Sequence, residues 1–155
     1  LIARMARLGI IPVSNPHFMT INGSDYCRYY GERMDYFFAM RSYLDAGLKP
    51  VIGCDAPTAP QEVTRGLDGA VNRIDRKNGQ VCGPMQRITM LEAIRCYTLN
   101  GAYASFEDDI KGSVEVGKLA DLVVFDRDIM AYPQEKIMDV QVDMTIIDGE
   151  IVYER

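Results

Sequence analysis

A single histidine, His17, stands among 155 residues. One imidazole cannot build a metal site unaided, because zinc takes three or four protein ligands. The four cysteines, Cys27, Cys54, Cys82 and Cys96, include no C-x-x-C pair. That spacing excludes a zinc knuckle and a thioredoxin-type motif. Positive charge is also short, with 17 Lys and Arg against 22 Asp and Glu. The resulting net charge of −5, with basic residues scattered, leaves no patch to neutralise phosphates, so no nucleic-acid partner is expected. No apolar run approaches the roughly 20 residues that span a bilayer, so no membrane partner is expected either. Internal repeats and low-complexity segments are absent. Asp108-Asp109 and Asp126 with Asp128 lack the spacing of a calcium loop and read as solvated turns.

What is present suits a soluble globular chain. Hydrophobic residues make up 48% and charged residues 25%, a balance that argues against disorder. The opening LIARMARLGIIPV has early basic residues but neither an initiator Met nor a signal-peptide core. It reads as a helix end running into a strand, from the middle of a longer protein. Four thiols without a disulfide framework suit a cytoplasmic setting.

Hydrophobic periodicity divides the chain in two. Residues 2–8 form a short helix stopped by Gly9, and Ile10–Ser14 a buried strand weakened by Pro12. Asn15–Asp25, with Pro16 and Asn22-Gly23-Ser24, reads as a loop. Tyr29–Ala46 reads as one long helix, with Met34, Phe37, Phe38 and Leu44 on its apolar stripe and Gly47 as its stop. Its aromatic residues belong to a core more readily than to a base-stacking surface. Pro50–Cys54 is a second buried strand, Gln61–Arg76 a helix, and Lys77–Gln86 a loop. Thr89 with Glu92 makes a capping box for a helix through Ala104. This alternation predicts βα units and a parallel sheet over residues 1–105. Beyond it, Leu122–Phe125, Val140–Ile147 and Glu150–Tyr153 are strand-like. Asp148-Gly149 is a two-residue hairpin turn. Residues 106–155 therefore form a small antiparallel β part.

Asp55 is the first candidate for chemistry. It follows the apolar run Val51-Ile52-Gly53-Cys54 and so stands at the C-terminal end of a parallel strand, where barrel active sites are built. A carboxylate there can bind a divalent ion and take a proton from an attacking water. It can equally be an Asx turn or helix cap, since Pro57 and a helix follow. His17, in Asn15-Pro16-His17-Phe18, follows the other strand. It is a candidate for a substrate pocket, with Asn15 beside it, or simply a loop histidine. Asp121, before the strand at Leu122, reads as structural, satisfying backbone N–H groups at the entry to the β part.

Several segments in order resemble the C-terminal region of the amidohydrolase superfamily, and most of all its amidohydrolase family 3 branch. Gly112–Asp126, GSVEVGKLADLVVFD, is one. Gly53-Cys54-Asp55-Ala56-Pro57 is similar to that family's G-S-D-A-P signature after the eighth barrel strand, with Cys54 in place of Ser. Gly31-Glu32-Arg33, Arg41-Ser42 and Asp45-Ala46-Gly47 resemble the preceding helix, and Gly69–Arg73 the following one. Thr89–Ala104 resembles the next. The likeness runs from about Leu8 to Tyr153.

The resemblance implies an α/β fold: the C-terminal part of a (β/α)8 TIM barrel over residues 1–105, then strands of a small β-sandwich over 106–155. It implies a metal-dependent hydrolase of a non-peptide C–N bond in a small amide or cyclic amide. Asp55 would be both the catalytic proton acceptor and a ligand of a divalent metal, zinc by preference. The superfamily's His-x-His, its middle-strand Lys or Glu and its two further histidines have no counterpart here. The 155 residues alone are therefore expected to bind metal weakly, to be inactive and to self-associate. A non-catalytic α/β binding or interaction module is the alternative that the single histidine leaves open.

Overall fold

A computed structural model describes all residues, 1–155. The chain begins with helix α1 (Ile2–Arg7) and strand β1 (Val13–Ser14). Helix α2 (Phe18–Tyr30), a 3-10 turn (Gly31–Tyr36) and α3 (Met40–Asp45) lead to β2 (Val51–Ile52). Then come α4 (Val63–Val71), a 3-10 turn (Pro84–Gln86), α5 (Met90–Tyr97) and α6 (Leu99–Ala104). The chain closes with β3 (Leu122–Phe125), a 3-10 turn (Gln134–Asp139), β4 (Val142–Ile147) and β5 (Glu150–Glu154).

Strands β1 and β2 are parallel, pairing Val13 with Val51 and Ser14 with Ile52. The ladder extends through Val51 N to Pro12 O and Gly53 N to Ser14 O, both at 2.9 Å. Pro12 contributes only its carbonyl, which is what its ring permits. The other three strands form an antiparallel sheet in the order β3-β4-β5. Asp148 and Gly149 join β4 to β5 with φ of 50° and 82°, the left-handed pair that a type I′ hairpin requires. Asp121 accepts from Asp148 N at 2.9 Å, the structural role its position predicts.

Several expected elements differ. Asn15–Asp25 is not a loop, because most of it lies in α2. The small residues serve packing rather than turning. A Cβ on Gly23 would lie 3.2 Å from Cys82 Sγ and 3.3 Å from Asp75 Cβ. Ser24 donates from its amide to Asp75 at 2.9 Å. Only Asn22 keeps irregular backbone, at φ −129°. The long helix expected over Tyr29–Ala46 is instead broken three ways. Phe38 adopts φ 46°, and buried Arg73 takes the carbonyls of Phe37 and Phe38 at 2.8 and 3.2 Å. Gln86 Nε2 donates to the Asp35 carbonyl at 2.7 Å. Those side chains capture groups that a continuous helix needs, so tertiary bonds override periodicity. Arg73 itself has φ 53°, and the helix expected to reach Arg76 ends at Val71.

The capping box forms as expected. Thr89 N donates to Glu92 at 2.8 Å, and Glu92 N to the Thr89 hydroxyl at 3.3 Å. Arg41 adds two bonds to the same carboxylate at 2.8 and 2.9 Å. Helix α5 does not run on unbroken to Ala104. Thr98 donates its hydroxyl back to Ile94 O at 2.9 Å, and its backbone leaves the helical region, a known effect of threonine back-bonding.

The main core packs Ile52 of β2 against Met40, Leu67, Ala70, Val71, Met90, Ala93 and Cys96. Ile129, Ile137 and Val140 enter this same core, so the 3-10 turn before β4 lies on α4. A second cluster holds Met19, Met34 and Cys82 under Tyr26, Phe37 and Phe38. Of the aromatic side chains expected in a core, Tyr26, Phe37 and Phe38 pack there, whereas Tyr29, Tyr30 and Tyr36 are exposed. All four cysteines are free thiols. No helix is long and apolar enough to cross a membrane.

Candidate functional site

Because β1 and β2 are parallel and in register, the residues after each strand emerge side by side. Asn15 follows Ser14, and Gly53-Cys54-Asp55 follows Ile52. A Cβ on Gly53 would come within 2.9 Å of the Asn15 side-chain oxygen. In the orientation that satisfies its amide, Asn15 Nδ2 donates to Gly53 O at 3.1 Å and Ser14 O at 3.2 Å. Its donors thus clamp the two strand ends together.

Asp55 lies just past this clamp and is exposed. It sits at φ 56°, a conformation aspartate tolerates better than most residues. Its carbonyl accepts from Thr58 N at 2.9 Å, opening a turn. None of the chain's hydrogen bonds or ion pairs involves its carboxylate. By contrast, Asp75 accepts from Lys77 N, Asp128 from Met130 N, and Asp121 from Asp148 N. Helix α4 begins at Val63, with Glu62 at the N-cap position and no side-chain cap. Asp55 is therefore neither an Asx turn nor a helix cap. Its turn is made by backbone, and its carboxylate is free at the rim.

His17 is 1% exposed. Its backbone opens α2, with its carbonyl accepting from Thr20 N at 3.0 Å and the Thr20 hydroxyl at 2.7 Å. Neither ring nitrogen has a hydrogen-bond partner. Burial pushes the imidazole below its ordinary pKa of 6.5. The carbonyls of Cys54 and Gly53 and the charge of Asp55 oppose that shift, whereas Arg65 adds to it. Those carbonyls face the ring, but neither makes a bond of normal geometry to it. His17 is thus a neutral, unpaired imidazole within electrostatic reach of Asp55.

Helix α4 fixes this turn from behind. A Cβ on Gly69 would lie 2.2 Å from Pro16 O and 2.8 Å from His17 N. Only a residue without a side chain lets helix and turn approach so closely. One helical turn earlier, Gly66 leaves room for Tyr97, whose hydroxyl would overlap any Cβ there. Arg65, immediately before Gly66 in sequence, reaches Thr20 Oγ1 at 3.4 Å and Glu62 at 3.8 Å. Arg65 was invisible as a site residue in the sequence, because Thr64-Arg65-Gly66 matches no pattern and only the fold sets it beside His17.

No group of three His, Cys, Asp or Glu side chains in the chain is arranged to hold a metal ion. A free, exposed carboxylate at a strand end suits a hard divalent cation as one oxygen ligand. The residues present fit such an ion as a single donor, Asp55, with the unpaired His17 imidazole nearby.

Comparison with known proteins gives this rim its context. The model of the amidohydrolase family matches residues 1–153. The chain is 36% identical over 154 residues to an N-substituted formamide deformylase of Arthrobacter pascens, covering 98% of the chain and 28% of that protein. It shares its fold with an amidohydrolase from Thermotoga maritima at a TM-score of 0.68 and 23% identity, covering 99% of this chain and 34% of that one. A metal-dependent hydrolase from Pyrococcus horikoshii aligns at a TM-score of 0.72 and 24% identity, over 86% of this chain and 28% of that one. The chain thus spans less than a third of the length of the curated deformylase it matches. With a family match over nearly every residue and a relative this similar, the chain belongs to the amidohydrolase family.

Proposed function

We propose that the chain carries the Asp55 rim of a metal-dependent amidohydrolase that hydrolyses a non-peptide C–N bond in a small amide or cyclic amide. Residues 1–105 would be the last βα units of a (β/α)8 barrel, and residues 106–155 part of an accompanying β-sandwich. About 250 residues make a complete barrel, so the remaining strands and most metal ligands would come from elsewhere in the gene product. The deformylase relative suggests an N-substituted formamide as the first substrate to assay.

The observation that carries this reading is the place of the free Asp55 carboxylate, exposed directly after β2 at the C-terminal end of the parallel pair and within electrostatic reach of His17. A divalent ion, zinc by preference, supplies polarisation of the scissile carbonyl and a lower pKa for the attacking water when it is bound. Asp55 would hold that ion in this chain and would accept the water's proton. The water oxygen bonds to the carbonyl carbon. As the C–N bond breaks, Asp55 returns the proton to the leaving nitrogen, giving an acid and an amine. His17 and Asn15 would line the substrate side. A neutral His17 can donate from one nitrogen and accept at the other.

The test is turnover of N-substituted formamides by the intact gene product and its Asp55→Asn variant. The amide keeps the side chain's shape but cannot take a proton. A loss of kcat of about 100-fold or more is expected from removal of general base catalysis. Retention of wild-type turnover would refute the assignment.

A further inference from the structure

Three buried side-chain polar atoms in the chain lack a hydrogen-bond partner, and they belong to two residues that share Thr20 as a neighbour. They are Nδ1 and Nε2 of His17 and Nε of Arg65. Arg65 lies within electrostatic reach of His17, and the nearby Cys54 and Gly53 carbonyls make no bond of normal geometry to the ring. Buried polar groups are nearly always paired, so these unpaired atoms point to a partner that arrives from outside. Arg65 is held loosely. Its bond to the Thr20 hydroxyl is long, at 3.4 Å, and Glu62 at 3.8 Å is beyond hydrogen-bond reach. Part of its side chain, 23%, reaches solvent, while His17 lies wholly beneath the surface. Arg65 also stands in the first turn of the nine-residue helix α4, whose start has no side-chain cap. The positive end of the helix adds to the attraction for an anion there.

We propose that Arg65, backed by His17, is the specificity-determining residue of this rim, and that it anchors a carboxylate on the substrate. This rests on the hydrolase reading for the reaction itself, in which Asp55 serves the amide of the same molecule. A guanidinium edge and an imidazole N–H together present two donors, which suits the paired oxygens of a carboxylate. Asp55 and Glu62 stand nearby, and their charges disfavour a dianion such as a phosphate monoester. A neutral amide offers only one acceptor oxygen and no charge.

Benzoate and benzamide, titrated calorimetrically into the metal-free intact gene product, test this without turnover. Removing the metal keeps carboxylate binding to the ion out of the signal. Benzoate is expected to bind about tenfold or more tightly than benzamide, a step of one decade in Kd. Arg65→Gln should abolish that preference, and Arg65→Lys should retain part of it because the charge stays but the fork is lost. Asp55→Asn should bind benzoate as well as or better than wild type, since it removes a neighbouring negative charge. This arm stands even if Asp55 proves unnecessary for hydrolysis. Equal binding of benzoate by wild type and a folded Arg65→Gln variant would overturn the proposal. So would equal binding of benzoate and benzamide by the wild type, the result expected if a buried water alone satisfies the three atoms.

Discussion

Asp55 and Asp75 show two opposite uses of one side chain. Burial of Asp75 opposes its ionisation, but the Ser24 hydroxyl and amide and the Lys77 amide outweigh it and hold the carboxyl below its usual range. Asp75→Asn should therefore cost about 1–3 kcal/mol, the effect of disturbing buried hydrogen bonds, measured as a shift in the urea midpoint. Asp55→Asn should change stability by less than about 0.5 kcal/mol, as at an exposed position without partners. Glu92 is also held low: burial opposes it, while Thr89 and Arg41 prevail. Hydrogen bonds from Arg127 and the Gln141 amide bring Asp126 to about 2. Each of these carboxyls has a folded pKa below its unfolded one. Their stabilisation is present above the ordinary carboxylate range and is lost as pH falls through the folded values. Urea midpoints should hold from pH 7 to about 5 and then decline toward pH 2. A midpoint independent of pH across that range would contradict the assigned bonds. Asp55 was legible as a site candidate because a carboxylate directly after a short apolar run has few possible places. Arg65 was not legible, since its role depends on contacts 45 residues away at Thr20.

Among the elements, short range proved legible and long range did not. The capping box at Thr89 and the Asp148-Gly149 hairpin need only neighbours a few residues away. Thr89→Ala should cost about 1 kcal/mol, the usual worth of an N-cap, read from thermal unfolding. The breaks in the helix expected over Tyr29–Ala46 come from Arg73 and Gln86, 35 to 51 residues away, and no local pattern announces them. Helix α2 was misread because Gly23 and Ser24 resemble turn residues, whereas they serve contacts to Cys82 and Asp75. Helix α4 positions the rim through Gly69. Gly69→Ala would drive a methyl into the Pro16 carbonyl, and overpacking of this kind costs about 1–3 kcal/mol. Because the displaced backbone is that of His17, the substitution should also impair substrate binding in the intact gene product, unlike an alanine at an exposed position.

For the whole molecule, the alternation of helix and strand was enough to indicate an α/β fold with a parallel pair followed by an antiparallel sheet. The joining of residues 129–140 to the α4 core was not, since nothing local marks which helix they cover. Two surfaces of the chain remain open. The parallel sheet has only two strands, with Val13 68% exposed beside an unpaired edge. In the antiparallel sheet Val123, Val124, Ile151, Val152 and Tyr153 are all exposed. Open edges and apolar faces of this kind promote association. Light scattering of the isolated chain should show species larger than a monomer, and a monomer stable to concentration would contradict that expectation. The central claim, that Asp55 faces a bound ion at the mouth of a parallel sheet, is tested most directly by anomalous diffraction from crystals of the intact gene product at a metal absorption edge. The account predicts a peak about 2.0–2.2 Å from an Asp55 carboxylate oxygen, the distance of a zinc–carboxylate bond. A metal peak with Asp55 outside its ligand shell would contradict it.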